Sequence, residues 1–221
     1  MSKKAQAEAE RVLTRLGVHI KLNTAVKDYS DGKVLFANGE TIETNVLIWA
    51  SGVIAREVPG LPAGVIGRGR RIQVDEYNRV KGFSDIFALG DLCLQTSDAN
   101  FPNGHPQLAQ VAIQQAKLLA ANLKRMNESR ELKSFAYNDK GSLAIISKYN
   151  AVADLPKLFF KGFTAWFIWI FVHIIPIAGF RNKVRLAFSW AWSFLTNDPT
   201  LRLIIRPQHK QNLKEKAETL Q

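Results

Sequence analysis

Two short stretches of this sequence hold residue types whose spacing could do chemistry. The first is Ile86-Phe87-Ala88-Leu89-Gly90-Asp91, an apolar run that ends in a glycine and a carboxylate. A glycine lets a ligand approach the backbone closely, and a carboxylate accepts charge-assisted hydrogen bonds from sugar-like hydroxyls. The same dipeptide also makes an ordinary turn. The second stretch is Ala109 to Ala116, AQVAIQQA. On a helix, Gln107, Gln110 and Gln114 share one face at i, i+3 and i+7, beside an apolar face of Leu108, Val111, Ala112, Leu119 and Leu123. Amides at such an edge can donate to a carbonyl oxygen. A solvated helix face is the bland alternative for glutamines.

Other chemistries are excluded by what is scarce. Cys93 is the single cysteine, so there is no disulfide framework, no Cys-x-x-Cys pair and no thiolate metal site. His19, His105, His173 and His209 have no ligand spacing, and no metal is expected.

The elements that must position these residues follow from pattern. Ala5, Ala9, Val12, Leu13 and Leu16 form a helical stripe that Gly17 ends. Val18 to Leu22 alternates like a strand. Lys33–Phe36 and Thr41–Glu43 flank the hairpin dipeptide Asn38-Gly39. Val46-Leu47-Ile48-Trp49 and Ile86–Leu89 are continuous apolar runs, the mark of strands buried on both faces of an α/β sheet. Each leads to a glycine (Gly52 and Gly90), where open α/β sheets place their ligands. A helix is expected from Pro106, a residue suited to the first helical position, to about Met126. A strand pair is expected over Phe135 to Asp154, broken at Asn138–Gly141.

The last third differs in character. Net charge is +11 overall. Residues 151–221 carry 10 Lys/Arg against 4 Asp/Glu, while residues 1–150 carry 20 against 15. Interleaved with this basic charge are 19 uncharged residues, GFTAWFIWIFVHIIPIAGF, from Gly162 to Phe180. That length approaches the roughly 20 residues of a span, but Pro176, Gly179 and His173 interrupt it, and Trp166 and Trp169 prefer the interface. The next stretch places Val184, Ala187, Phe188, Ala191 and Leu195 on one face, with Arg181, Arg185 and Ser189 on another. Such a helix lies in the headgroup plane. A lipid surface, and no nucleic acid, is the expected partner. The N-terminus has no apolar core of a secretory signal, and the chain is expected on the cytoplasmic side.

Arg71–Asp91 (RIQVDEYNRVKGFSDIFALGD) resembles the two-dinucleotide-binding-domain flavoproteins, the pyridine nucleotide-disulfide oxidoreductase superfamily. The resemblance implies that Asp91 binds a ribityl hydroxyl of FAD beside Gly90. Trp49-Ala50-Ser51-Gly52-Val53 is similar to the strand-end segment of that family, which lies close to bound nucleotides, and so implicates Gly52. AQVAIQQA resembles the segment that distinguishes type II NADH:quinone oxidoreductases. It implies a quinone role for Gln110 and Gln114 and a flavin-proximal place for Gln110, Val111 and Ala112. There the positive helix N-terminus would favour the anion formed on flavin reduction. Ala165 to Phe194 resembles the monotopic anchor of the same enzymes.

The fold class implied is α/β, with partial Rossmann-like half-domains, a short β segment and C-terminal amphipathic membrane-surface helices. Residues 1–55 would belong to an NADH-binding domain, 56–126 to an FAD-binding domain and 127–221 to the membrane-associating region. The cofactors and substrates implied are FAD, NADH and quinone, at the cytoplasmic face of the cell inner membrane; a homodimer is compatible with this. No Gly-x-Gly-x-x-Gly segment occurs in the 221 residues, so the chain is expected to correspond to the later half of a family member. Two alternatives stand beside this reading: a sulfide:quinone oxidoreductase relative and a non-catalytic membrane-binding protein.

Overall fold

A computed structural model of the chain describes residues 1–196. The mixed α/β chain forms two compact units, Lys21–Asp139 and the pair Met1–Ile20 with Lys140 onward.

In the unit made from both chain ends, α1 (Lys3–Arg15) is the expected amphipathic helix. Ser2 caps it by accepting from the Ala5 amide, and Ala5 and Val12 are buried. The expected strand over Val18–Leu22 does not form. The Val18 amide instead closes back onto the Leu13 carbonyl and completes the helix end. Strands β6 (Ser142–Ser147), β7 (Asn150–Asp154) and β8 (Phe159–Lys161) make an antiparallel meander. The expected pair over Phe135–Asp154 therefore begins later and turns at Lys148-Tyr149. Ala151, Ala153 and Ala165 are wholly buried, and their small side chains let α3 (Gly162–Ile174) lie close upon β7. Glu8 on α1 accepts from Arg11 Nε (3.0 Å) and Lys161 Nζ (3.2 Å). The Arg11 bond, opposed by burial and reinforced by Lys161, holds the Glu8 carboxyl down at about 2.

α4 (Phe180–Thr196) follows the break at Pro176 and Gly179, as its sequence requires. The rings of Trp166 and Phe194 lie 4.4 Å apart and those of Trp169 and Trp190 5.2 Å apart, joining α3 to α4. The 13 residues of α3 reach only about 20 Å, and among the described residues no helix is long and apolar enough to cross a membrane. The expected membrane segment beyond Thr196 lies outside the described residues.

In the Lys21–Asp139 unit, β1 (Val26–Ser30), β2 (Lys33–Phe36) and β3 (Thr41–Glu43) form an antiparallel sheet. The hairpin closes as expected at Asn38-Gly39, with the Phe36 amide bonded to the Glu40 carbonyl. The buried strand expected over Val46–Trp49 does not form: no ladder pairs it, Ile48 is 85% exposed and Trp49 62%. A run apolar on both faces needs neighbours on both edges and layers above and below, and among the described residues none of these reaches it.

The second apolar run is placed differently. β4 (Ile72–Val74) pairs in parallel with β5 (Cys93–Gln95). Ile86–Leu89 runs as an irregular segment against the Asn78–Val80 turn, with a single bridge from Phe87 to Arg79. Val65, Ile72, Val74, Val80, Ala88 and Cys93 form one core cluster. α2 (Ala109–Asn127) starts three residues later than Pro106 suggests. The Leu108 amide bonds the Pro106 carbonyl and makes a turn there first.

Candidate functional site

Gly90, Asp91 and Leu92 form one 3₁₀ turn between the second apolar run and β5. Its backbone is held by amide side chains from α2 and from the residues just before that helix. Gln115, 1% exposed, accepts the Gly90 N–H at 2.7 Å. Gln107 donates its Nε2 to the Asp91 carbonyl at 3.1 Å. Gly90 has φ +63°, and a Cβ there would lie 3.0 Å from the Ala112 Cβ. A side chain at position 90 would thus press on α2, so only glycine suits both the conformation and the contact. The Asp91 side chain is left exposed at this turn.

The Nε2 of the same Gln115 amide donates toward the Cys93 Sγ at 3.6 Å, and Asn78 Nδ2 donates toward the same sulfur at 3.5 Å. Burial pushes the Cys93 thiol up, against smaller opposing effects from Asn78, Gln115 and Arg71. A protonated, enclosed thiol is a poor nucleophile. Arg71 ties the neighbouring segments together, donating Nε to the Cys93 carbonyl (2.7 Å) and Nη2 to the His105 carbonyl (2.9 Å).

The loop that enters α2 is built around a buried pair. His105 Nε2 lies 2.9 Å from Asp98 Oδ2, both nearly free of solvent contact. Phe101, Phe135 and Tyr137 surround the imidazole with ring centroids 5.2–5.9 Å away. Burial alone would raise the Asp98 carboxyl. Bonds from His105, the Tyr137 N–H and the Asn100 N–H outweigh it and hold that carboxyl below the usual range. Burial pushes the Tyr137 phenol up to about 12.

The residues expected to form a site are partly united. Gly90, Asp91 and Ala112 meet where the turn packs on α2. Val111 is buried against Phe135 and Tyr137, so its side chain serves the core. Gln110 is half-buried on α2. Gln114 donates to the Asn138 carbonyl (3.0 Å) and accepts from the Asn138 amide (3.1 Å), fastening that segment to the helix. Gln107 precedes α2 and does not continue the face of Gln110 and Gln114, since its amide reaches the Asp91 backbone instead. Gly52 lies in the exposed first apolar segment, where a Cβ would meet nothing within 4 Å. Gln115 and the His105–Asp98 pair escaped the sequence reading. The doubled glutamine of AQVAIQQA was the only sign of the first. No group of His, Cys, Asp and Glu among the described residues could hold a metal.

The family model for pyridine nucleotide-disulphide oxidoreductases matches residues 1–116, and that for the NDH2 C-terminal domain matches residues 140–197. The type II NADH:quinone oxidoreductase NdhA of Mycobacterium tuberculosis is 33% identical over 208 residues, 88% of this chain and 43% of that protein. NDH2 from Plasmodium falciparum, solved in complex with NADH, shares the fold with a TM-score of 0.73 at 17% identity, over 91% of this chain and 56% of that one. The sulfide:quinone oxidoreductase of Aquifex aeolicus gives a TM-score of 0.58 at 14% identity, over 97% of this chain and 49% of that one. The chain thus spans less than half the length of the curated relative.

Proposed function

Because the chain belongs to the pyridine nucleotide-disulphide oxidoreductase family and carries an NDH2 C-terminal domain, we propose that it supplies the flavin-facing, quinone-facing and membrane-facing part of a type II NADH:quinone oxidoreductase. The observation that carries this reading is the Gly90–Asp91 turn packed on the glutamine-rich helix α2. It presents an exposed carboxylate beside a glycine that no side chain could replace without strain. Those groups fit a sugar-like hydroxyl chain, which is the part of FAD that Asp91 would hold. Held there, FAD would supply the hydride-accepting and two-electron-donating chemistry between NADH and quinone.

The chain's own residues orient that chemistry. Asp91 accepts a hydroxyl hydrogen bond, and Gly90 admits the cofactor to the backbone. The N-terminus of α2, packed beside the turn, offsets negative charge that develops on reduction. Gln110 donates to a quinone carbonyl, while Gln114 also secures the Asn138 segment. α3 and α4 set the protein on one face of the membrane. Their outward side chains are large and apolar, with Phe188 70% and Leu195 78% exposed, and burying each contributes roughly 1.5–3 kcal/mol. We assign the cytoplasmic face of the inner membrane as that surface.

Co-expression with the nucleotide-binding half of a type II relative should give a yellow protein that reduces quinone with NADH. A colourless, inactive product would overturn the reading. The 221-residue chain alone should purify without flavin. In an active assembly, Gln110→Ala should slow flavin reoxidation by quinone about tenfold or more and largely spare flavin reduction by NADH. Stopped-flow measurement of the two half-reactions separates these. The sulfide-oxidising alternative finds no support in the site: Cys93 is the single cysteine, and it is buried.

A further inference from the structure

We propose that a groove along α4 is a seat for one anionic phospholipid. This rests on the membrane-surface reading above and goes further, assigning a headgroup charge and the residues that select it. The groove has a volume of about 1010 Å³. Asn182, Arg185 and Ser189, at i, i+3 and i+7 of α4, give it a polar line. Ile177 and Leu186 wall it with hydrocarbon. Phe188 and Trp192, stacked at 6.4 Å, carry that apolar surface outward.

Charge decides the occupant. α4 contains Arg181, Lys183 and Arg185 and no acidic residue. Among the described residues, none of these three cations takes part in an ion pair. Arg185 is the one of the three that lines the groove. Its planar fork matches two phosphate oxygens, which a lysine cannot do. Asn182 and Ser189 add polar atoms on the same line. A free phosphate would leave the walls of Ile177, Leu186 and Trp192 in water, whereas a phosphate that carries acyl chains covers them. The volume is at the upper end for a small-molecule site, enough for a headgroup and the first part of its chains. A single anionic lipid satisfies both the cation and the hydrocarbon.

Flotation of the 221-residue chain with vesicles of neutral phosphatidylcholine, or the same lipid containing about one part in five phosphatidylglycerol, tests this. The expected result is tighter binding to the anionic vesicles. Arg185→Gln should weaken that binding about thirtyfold or more. Arg181→Gln removes the same charge outside the groove and should cost about fivefold. Ser189→Trp, which fills the groove and leaves every charge in place, should bring anionic binding toward the neutral level. Equal losses for Arg185→Gln and Arg181→Gln with a silent Ser189→Trp would overturn the seat, because diffuse attraction would then explain the preference. Equal binding of the unaltered chain to both vesicles would also overturn it and leave the membrane reading intact. Binding to neither would overturn both.

Discussion

Two segments of the Lys21–Asp139 unit look alike in sequence and behave oppositely. Val46–Trp49 and Ile86–Leu89 are both four-residue apolar runs, each followed within a few residues by a positive-φ glycine. The first is exposed and joins no sheet. The second is folded against the Asn78–Val80 turn and ends in the clasped Gly90–Asp91 turn. Hydrophobicity is the same in kind; what differs is the supply of neighbours. The second run has β4, β5 and α2 close in sequence, so its partners come at low entropic cost. The first has only the hairpin before it and a Gly- and Pro-rich loop after it. An apolar run announces a demand for burial, and the surrounding chain decides whether the demand is met.

That comparison can be broken most directly at the two glycines. Gly90→Ala should destabilise the unit by about 2–4 kcal/mol, from the positive φ and the pressure on Ala112. Gly52→Ala should cost less, about 1–2 kcal/mol from its positive φ alone, since the added methyl meets nothing. Urea unfolding of the two variants checks this, and equal effects would dissolve the distinction. Gln115→Leu comes next, at about 1–3 kcal/mol, because the Gly90 N–H is left without its acceptor.

Acid should act on the folded segment's surroundings and spare the exposed run. Asp98 has a lowered carboxyl pKa in the folded state, so its contribution is present above the ordinary aspartate value near 3.8 and is lost as pH falls below it. The near-ultraviolet signal of Phe101, Phe135 and Tyr137 should therefore fade below about pH 4, and Asp98→Asn should remove that dependence. The smallest effect is expected at Ile48→Ser, within about 0.5 kcal/mol, with a gain in solubility read by light scattering.

Much of the architecture was legible because local rules wrote it. The α1 stripe, the Asn38-Gly39 hairpin, the break at Pro176 and Gly179 and the outward apolar face of α4 each depend on residues a few positions apart. The Gly90–Asp91 turn and its neighbourhood to AQVAIQQA were legible through family resemblance. What escaped depends on distant partners. Nothing local says that Val46–Trp49 lacks a sheet, that Gln107 reaches back to Asp91, or that Gln115 turns inward while Gln114 fastens Asn138. β5 was missed because a strand of three residues after a turn has no pattern of its own, and it becomes a strand only by pairing with β4, 21 residues earlier.

The position of Cys93 makes the protein its own stopwatch. The single thiol of the chain sits at the seam where α2 meets β5 and the Gly90 turn, between the amides of Asn78 and Gln115. A thiol reagent can reach it only when that seam parts, so the labelling rate counts openings of this corner. No probe has to be introduced, and no second thiol confuses the count. Any ligand that bridges the turn and the helix should slow the clock, and any variant that loosens them should speed it.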